Sequence, residues 1–264
     1  MAACTASVTQ IDQRWYLRIM PTRFTTSGGR LARWEFLDST QIPHSVDELR
    51  LYQREMGNGN EYAIRISSQP GDLMNSRQHG SEDALGELPC RGIAHSPGAR
   101  VLIGGLGMGF TLAAALQVLG ADAQVVVAEL VAGVVRWNRE HIGQSAGFPL
   151  ADPRARVEVA DVHGAIRAAA EGAQGDRFDA ILLDVDNGPE GLTHERNDRL
   201  YSTDGLGQAY LALRPGGVLA VWSAGPERAF TARLQKVGFS VDERRVRAHA
   251  GKGARHVIWL ASKP

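Results

Sequence analysis

Glu129, Asp161 and Asp184 each close a short apolar or alternating run: VVVAEL, RVEVAD and FDAILLD. Runs of that length and composition are expected to be strands. Three carboxylates should therefore stand at strand ends, and in an open α/β sheet those ends line the crevice where ligands bind. Ahead of them lies VLIGGLGMGFT, an apolar run followed at once by glycines at 104, 105, 107 and 109. Glycine at such a turn lets a ligand approach bare backbone. Glu129 follows Gly105 by twenty-four residues, close to the roughly 20-residue offset at which an acid meets ribose hydroxyls in nucleotide-binding α/β folds. The chemistry implied is recognition of a nucleoside, by backbone at the turn and by a carboxylate accepting two hydroxyl protons.

The glycine spacing narrows the ligand. A dinucleotide fingerprint needs G-x-G-x-x-G, whereas Phe110 stands at the closing step and the pattern present is G-x-G-x-G. This compact turn, with Gly105, Gly107 and Gly109 as cofactor-binding candidates, marks transferases that use S-adenosylmethionine. Its turn clears an adenosine and an amino-acid tail rather than a pyrophosphate. Any glycine-rich α/β turn would look similar, and the three acids decide between the readings. Asp161 precedes VHGAIRAAA and also suits a helix N-cap.

The elements that must position these residues alternate from about Ser81. SEDALGELPCRG reads as a helix capped by Ser81. The glycine strand, the helix FTLAAALQVLG, the Glu129 strand, the helix VAGVVRWNREHIG, the Asp161 strand, the helix HGAIRAAAEG and the Asp184 strand follow. After NGPEGLTHERNDRLYS come the helix GLGQAYLALR, a PGG turn, the strand VLAVWSA and the helix PERAFTARLQKVG. SVDERRVRA and RHVIWLAS then read as an antiparallel hairpin. Short alternating runs between 34 and about 76 read as an antiparallel hairpin and a third strand. The predicted fold is α/β, a Rossmann-like class I methyltransferase doubly wound sheet with an antiparallel C-terminal hairpin, preceded by a small N-terminal β-domain. The predicted boundaries are 1–33 for a loosely attached extension in which Met20 offers an alternative start, 34–80 for the β-domain, and 81–264 for the cofactor domain.

Composition sets the outer limits. The 264 residues carry 29 basic and 29 acidic side chains, and 44% are hydrophobic, enough for one large domain or a domain with an appendage. This neutral balance gives no reason to expect nucleic acid or a membrane surface as partner. Cys4 and Cys90 are the only cysteines, so no disulfide framework is implied and a reducing, cytoplasmic compartment is expected. No run approaches the roughly 18 apolar residues of a membrane span. His194 has no partner at metal-ligand spacing, and no metal is expected.

With these motifs in hand, residues 45 to 262 resemble the spermidine synthase family, the polyamine aminopropyltransferases. IGGLGMG matches the family's I-G-G-G-D-G-G, AEL its E-I-D, and LLDVDNGP with the later LYS its D-S-S-D-P-x-G-P and L-F or L-Y. The resemblance implies that Glu129 holds ribose, Asp161 meets the adenine amino group, Asp184 faces the acceptor amine and Tyr201 lies at the acceptor pocket. Asp184 and Tyr201 are thus the catalytic candidates.

The departures concern the tail and the acceptor. Gly107 stands where the family has Asp, the second family Asp has only Asp186 and Asn187 as counterparts, and SRQHGSED replaces the pattern that grips a polyamine. An Asp in the turn should select against the carboxylate of intact S-adenosylmethionine in a water-poor site, and Gly107 removes that objection. The reading favoured on these grounds is methyl transfer from S-adenosylmethionine to N or O of a small polar metabolite. The alternatives are aminopropyl transfer from decarboxylated S-adenosylmethionine and a non-catalytic cofactor-binding protein. Asp184 is the candidate base or amine-orienting group. His79 and Glu82 are candidates at the pocket mouth, although Glu82 also fits the first turn of a helix. Trp222 is a candidate wall, or simply core. The expected partner is a small-molecule acceptor, and the sequence leaves the oligomeric state open, a homodimer being one option.

Overall fold

The computed structural model describes residues 33–57, 59–185, 199–249 and 252–264. The chain opens on a four-stranded antiparallel sheet in the order β1-β2-β3-β4, formed by β1 (Glu35–Gln41), β2 (Glu48–Met56), β3 (Gly59–Ile66) and β4 (Met74–Asn75). Alternation in β2 and β3 turns Leu49, Leu51, Ile64 and Ile66 inward, all buried. The expected hairpin and third strand are present, with β1 added at the edge.

Helix α1 (Gly80–Arg91) leads to a seven-stranded sheet in the order β10-β11-β9-β8-β5-β6-β7. Its strands are β5 (Arg100–Gly104), β6 (Gln124–Glu129), β7 (Ala155–Val159), β8 (Phe178–Leu183), β9 (Leu213–Ser223), β10 (Ser240–His249) and β11 (Lys252–Ser262). The first five run parallel, while β11 pairs antiparallel with both β9 and β10. Helices α2 (Phe110–Val118), α3 (Ala132–Trp137), α4 (Val162–Glu171), α5 (Thr203–Ala212) and α6 (Arg228–Val237) make the crossovers. Val101, Leu102 and Ile103 are fully buried because β5 is covered on both faces. The chain leaves β5 toward β6 and β7, then returns to β8 on the other side of β5. That reversal puts the ends of β5 and β8 side by side, the topological position of a ligand crevice.

Two local expectations need correction. Ser81 is not the cap of α1: His79 occupies the N-cap position, and Ser81 lies inside the helix, fully buried. VAGVVRWNREHIG is not one α-helix, because α3 passes into a π-turn at Asn138–Ile142 and a 3₁₀ turn at Gly143–Ala146. Gly143 permits the change, since a Cβ there would collide with the Asn138 carbonyl.

The small sheet is fastened to the large one. Asp38 of β1 accepts from Trp137 Nε1 at 2.7 Å and from Arg136, and Gln144 Nε2 donates to the Tyr62 hydroxyl at 2.7 Å. Leu51, Tyr62 and Ile64 belong to the same apolar core as Leu85, Val135 and Trp137. Among the described residues, no helix is long and apolar enough to cross a membrane.

Candidate active site

The glycine turn is held open from three directions. Gly105, Gly107 and Gly109 have φ of 89°, 51° and 87°, a region that side chains disfavour. A Cβ on Gly105 would also collide with the Asp184 carbonyl, so glycine is what lets the end of β5 meet the end of β8. Glu129, 7% exposed, accepts from the Leu106 amide through Oε2 and from the Val131 amide through Oε1, both at 2.8 Å. Burial holds its carboxyl above the usual range, and these backbone donors act against that rise. A carboxylate has about four lone-pair sites. The Leu106, Gly107, Leu130 and Val131 amides all act on Glu129, so the carboxylate fixes the turn, and a ribose would share its oxygens with these donors. Asn138 Nδ2 donates to the Gly107 carbonyl at 2.8 Å and the Val134 carbonyl at 3.0 Å, locking the turn from behind.

The chemistry-bearing end of the crevice is built on Asp184, just past β8. Thr111, on the first turn of α2, places Oγ1 at 2.9 Å from Asp184 Oδ2 and 3.3 Å from the Glu82 carbonyl. Burial first, then the neighbouring Glu82, push the Asp184 carboxyl up to about 7, with the Thr111 hydroxyl opposing and Glu129 adding to the rise. A single hydroxyl serves both protonation states: it donates to ionised Asp184, or accepts from protonated Asp184 while turning its own proton to the Glu82 carbonyl. Glu82 is raised as well, chiefly by burial, and its Oε2 accepts from Ser81 Oγ at 2.6 Å. An acid near 7 is poised to take a proton at neutral pH.

The other sequence candidates fall at varying distances from this centre. Asp161 caps α4, its Oδ1 accepting from the His163 amide at 2.9 Å. His79 stacks on Phe110 at 4.0 Å and bonds Asp83 at 2.7 Å, which raises its pKa. It lines a cavity of about 380 Å³ between α1 and α2, together with Phe110, Gln117 and Ala146. Tyr201 is 1% exposed, edge-on to Phe230, its hydroxyl 3.4 Å from the Val185 carbonyl. Trp222 is half-buried against the His256 ring at 4.7 Å. Asp186, Asn187 and His194 lie outside the described residues.

Sequence reading missed Thr111, Asn138, Ser81 in its actual role, and His256. Thr111 carried a signal, a hydroxyl two residues after Gly109 at a helix start. Asn138 is a polar residue inside an apolar helical run. His256 gave none, because its partner Ser81 is 175 residues away.

No family model matches the chain. A curated relative, polyamine aminopropyltransferase 1 of Hyperthermus butylicus, is 32% identical over 170 residues, which cover 64% of this chain and 53% of that protein. The chain thus spans about half the length of that relative. The spermidine synthase of Thermotoga maritima superposes with a TM-score of 0.63 at 17% identity, covering 87% of this chain and 72% of that one. Human methyltransferase-like protein 13 in complex with SAH follows at 0.51 and 20% identity, over 70% of this chain and 80% of its own. At such identities the structures establish the fold alone. In sequence and fold the chain is spermidine-synthase-like.

The curated relative overturns the expectation of methyl transfer from intact S-adenosylmethionine. The site supplies the physical reason. Gly107 removes an acid from the turn, but removal of an acid does not attract a carboxylate. Among the described residues, the groups acting on Glu82, Asp184 and Glu129 include no arginine or lysine. Among the described residues, a tail carboxylate would meet these acids with His79, beside Glu82, as the one cation acting on them.

Proposed function

We propose that this chain transfers an aminopropyl group from decarboxylated S-adenosylmethionine to the nitrogen of a small amine. The observation that carries the reading is the group formed by buried Glu129 and half-buried Glu82 and Asp184, with no arginine or lysine among the described residues acting on them. Such a pocket favours cations, the state of both an amine acceptor and an amine-terminated donor tail. The sulfonium of the donor supplies an electrophilic carbon, and displacement there needs chiefly alignment and an unprotonated nitrogen. Glu129 and the glycine turn hold the nucleoside end. Asp184 takes the ammonium proton at Oδ2 or Oδ1, freeing the lone pair, and Thr111 supports Asp184 before and after. Glu82 balances the charge of the amine as it enters.

Incubation with decarboxylated S-adenosylmethionine and straight-chain mono-, di- and triamines should release methylthioadenosine and an acceptor heavier by one aminopropyl group, read by mass spectrometry. Calorimetric binding of the donor with no product from any amine would instead identify a cofactor-binding protein without turnover.

A further inference from the structure

Behind Glu82 runs a line of hydrogen bonds that none of the roles above uses. His256 Nδ1 on β11 lies 2.8 Å from Ser81 Oγ, and Ser81 Oγ lies 2.6 Å from Glu82 Oε2. Ser81, inside α1 and turned toward β11, is fully buried, so its hydroxyl has these two partners in place of water. Serine has one proton to give. When it donates to ionised Glu82, His256 must donate from Nδ1; when Glu82 is protonated, the line can reverse, Glu82 donating to Ser81 and Ser81 to Nδ1. Both arrangements satisfy every atom.

We propose that Ser81 and His256 form the exit by which Glu82 sheds its own proton to solvent as it takes up the charge of the entering amine. This deepens the aminopropyl-transfer reading and rests on it. Glu82 passes its proton to Ser81 Oγ as Ser81 passes its own to His256 Nδ1. A carboxylic acid and a neutral imidazole thereby become a carboxylate and an imidazolium, with no net charge change. His256 keeps some solvent exposure, and the imidazolium sheds its other proton, from Nε2, to water. Burial alone lowers the His256 pKa, so the imidazolium is short-lived; it leaves the Nδ1–H tautomer, and the exit resets when the ring proton returns to Nε2 and frees the Nδ1 lone pair. The charged groups facing Glu82 are His79 and Asp83 from its own helix and Asp184 from the end of β8. Facing His256 are Ser81 from α1 and the uncharged Trp222 ring from β9. Both residues are positioning residues, since neither reaches the reacting atoms.

The test has two arms on the full chain. First, nitrogen-15 NMR of the unligated protein reads the His256 ring. With Glu82 ionised, neutral His256 should be the Nδ1–H tautomer. Glu82→Gln should lower its titration midpoint in wild type and leave it unmoved in a Ser81→Ala background. An unmoved midpoint in wild type overturns the proposal. Second, His256→Asn keeps a donor toward Ser81 but carries no proton, while His256→Ala removes both. Each should lower kcat at least about tenfold, short of the 10²–10⁴ of a group acting directly, with the KM for amine changed less than about twofold. Imidazole in the buffer should restore the Ala variant. An Asn variant as fast as wild type overturns the exit and leaves a structural bond. If wild type transfers nothing to any amine, the proposed function is what has failed, and the NMR arm by itself decides whether Glu82 and His256 share a proton line.

Discussion

Thr111 Oγ1 sits 2.9 Å from Asp184 Oδ2, the side-chain hydrogen bond that holds the candidate base. It joins the start of α2 to the end of β8, two elements that follow different glycine-permitted approaches. Thr111→Val keeps the shape and deletes the donor. Because the hydroxyl lowers the Asp184 pKa, its loss should move the acid limb of the kcat–pH profile to higher pH, by about one unit for a bond to a charged group of roughly 1.5–3 kcal/mol discounted for the partly hydrated site. An unmoved limb would show that Asp184 does not govern turnover.

Asp184→Asn separates stability from catalysis. An acid raised to about 7 binds a proton in the folded state that the unfolded chain has released above pH ~4. Stability from this group therefore falls as pH rises between ~4 and 7, and the penalty persists above. The Asn variant should melt at higher temperature than wild type at pH 8, with the difference vanishing near pH 4, by calorimetric scans. Its turnover should fall by ~10²-fold or more, while donor affinity stays near wild type.

Glu129 serves the turn and the ligand together, so its variants should lose both. Glu129→Ala is expected to weaken binding of methylthioadenosine by about 1.5–3 kcal/mol, the scale of a charge-assisted hydrogen bond, in isothermal titration. It should also leave the Leu106 and Val131 amides without their carboxylate acceptor, visible as faster hydrogen exchange at both. Unchanged affinity in a folded variant would remove Glu129 from the ribose site.

Gly107 admits a direct probe of the donor tail. Its φ of 51° is one that Asp and Asn tolerate, and a Cβ there would rest 3.4 Å from Met74 Sδ, an ordinary contact. Gly107→Asp should tighten decarboxylated S-adenosylmethionine by roughly tenfold relative to Gly107→Asn, the equivalent of about 1.4 kcal/mol, and weaken the intact form. Equal affinities for both variants would place the tail elsewhere.

The strand ends were readable because β5, β6 and β8 are apolar on both faces and stop at an acid or a glycine. Glu129 and Asp184 follow from that pattern by position alone. Asp184's partner was half visible, since Thr111 opens a helix directly after the turn. Ser81 was misread because a serine ahead of Glu82 and Asp83 looks like a cap; only the return of β11 across α1 gives it a different neighbour. Asn138 broke the helical expectation by bonding Gly107 thirty-one residues earlier, a long-range contact no window of sequence contains. The reaction was misjudged by reasoning from acids that are missing, at Gly107 and along the acceptor groove, rather than from the acids that remain.

Asp38 links the two sheets through Trp137 and Arg136, and the apolar core runs unbroken from Leu51 to Val127. Neither sheet buries its inner face without the other. Heating should therefore give one sharp transition, with β2, β6 and β8 losing amide protection at the same free energy. A polypeptide cut between Asn75 and Gly80 should yield two fragments that fold only when mixed, which makes this junction suited to a split-protein reporter.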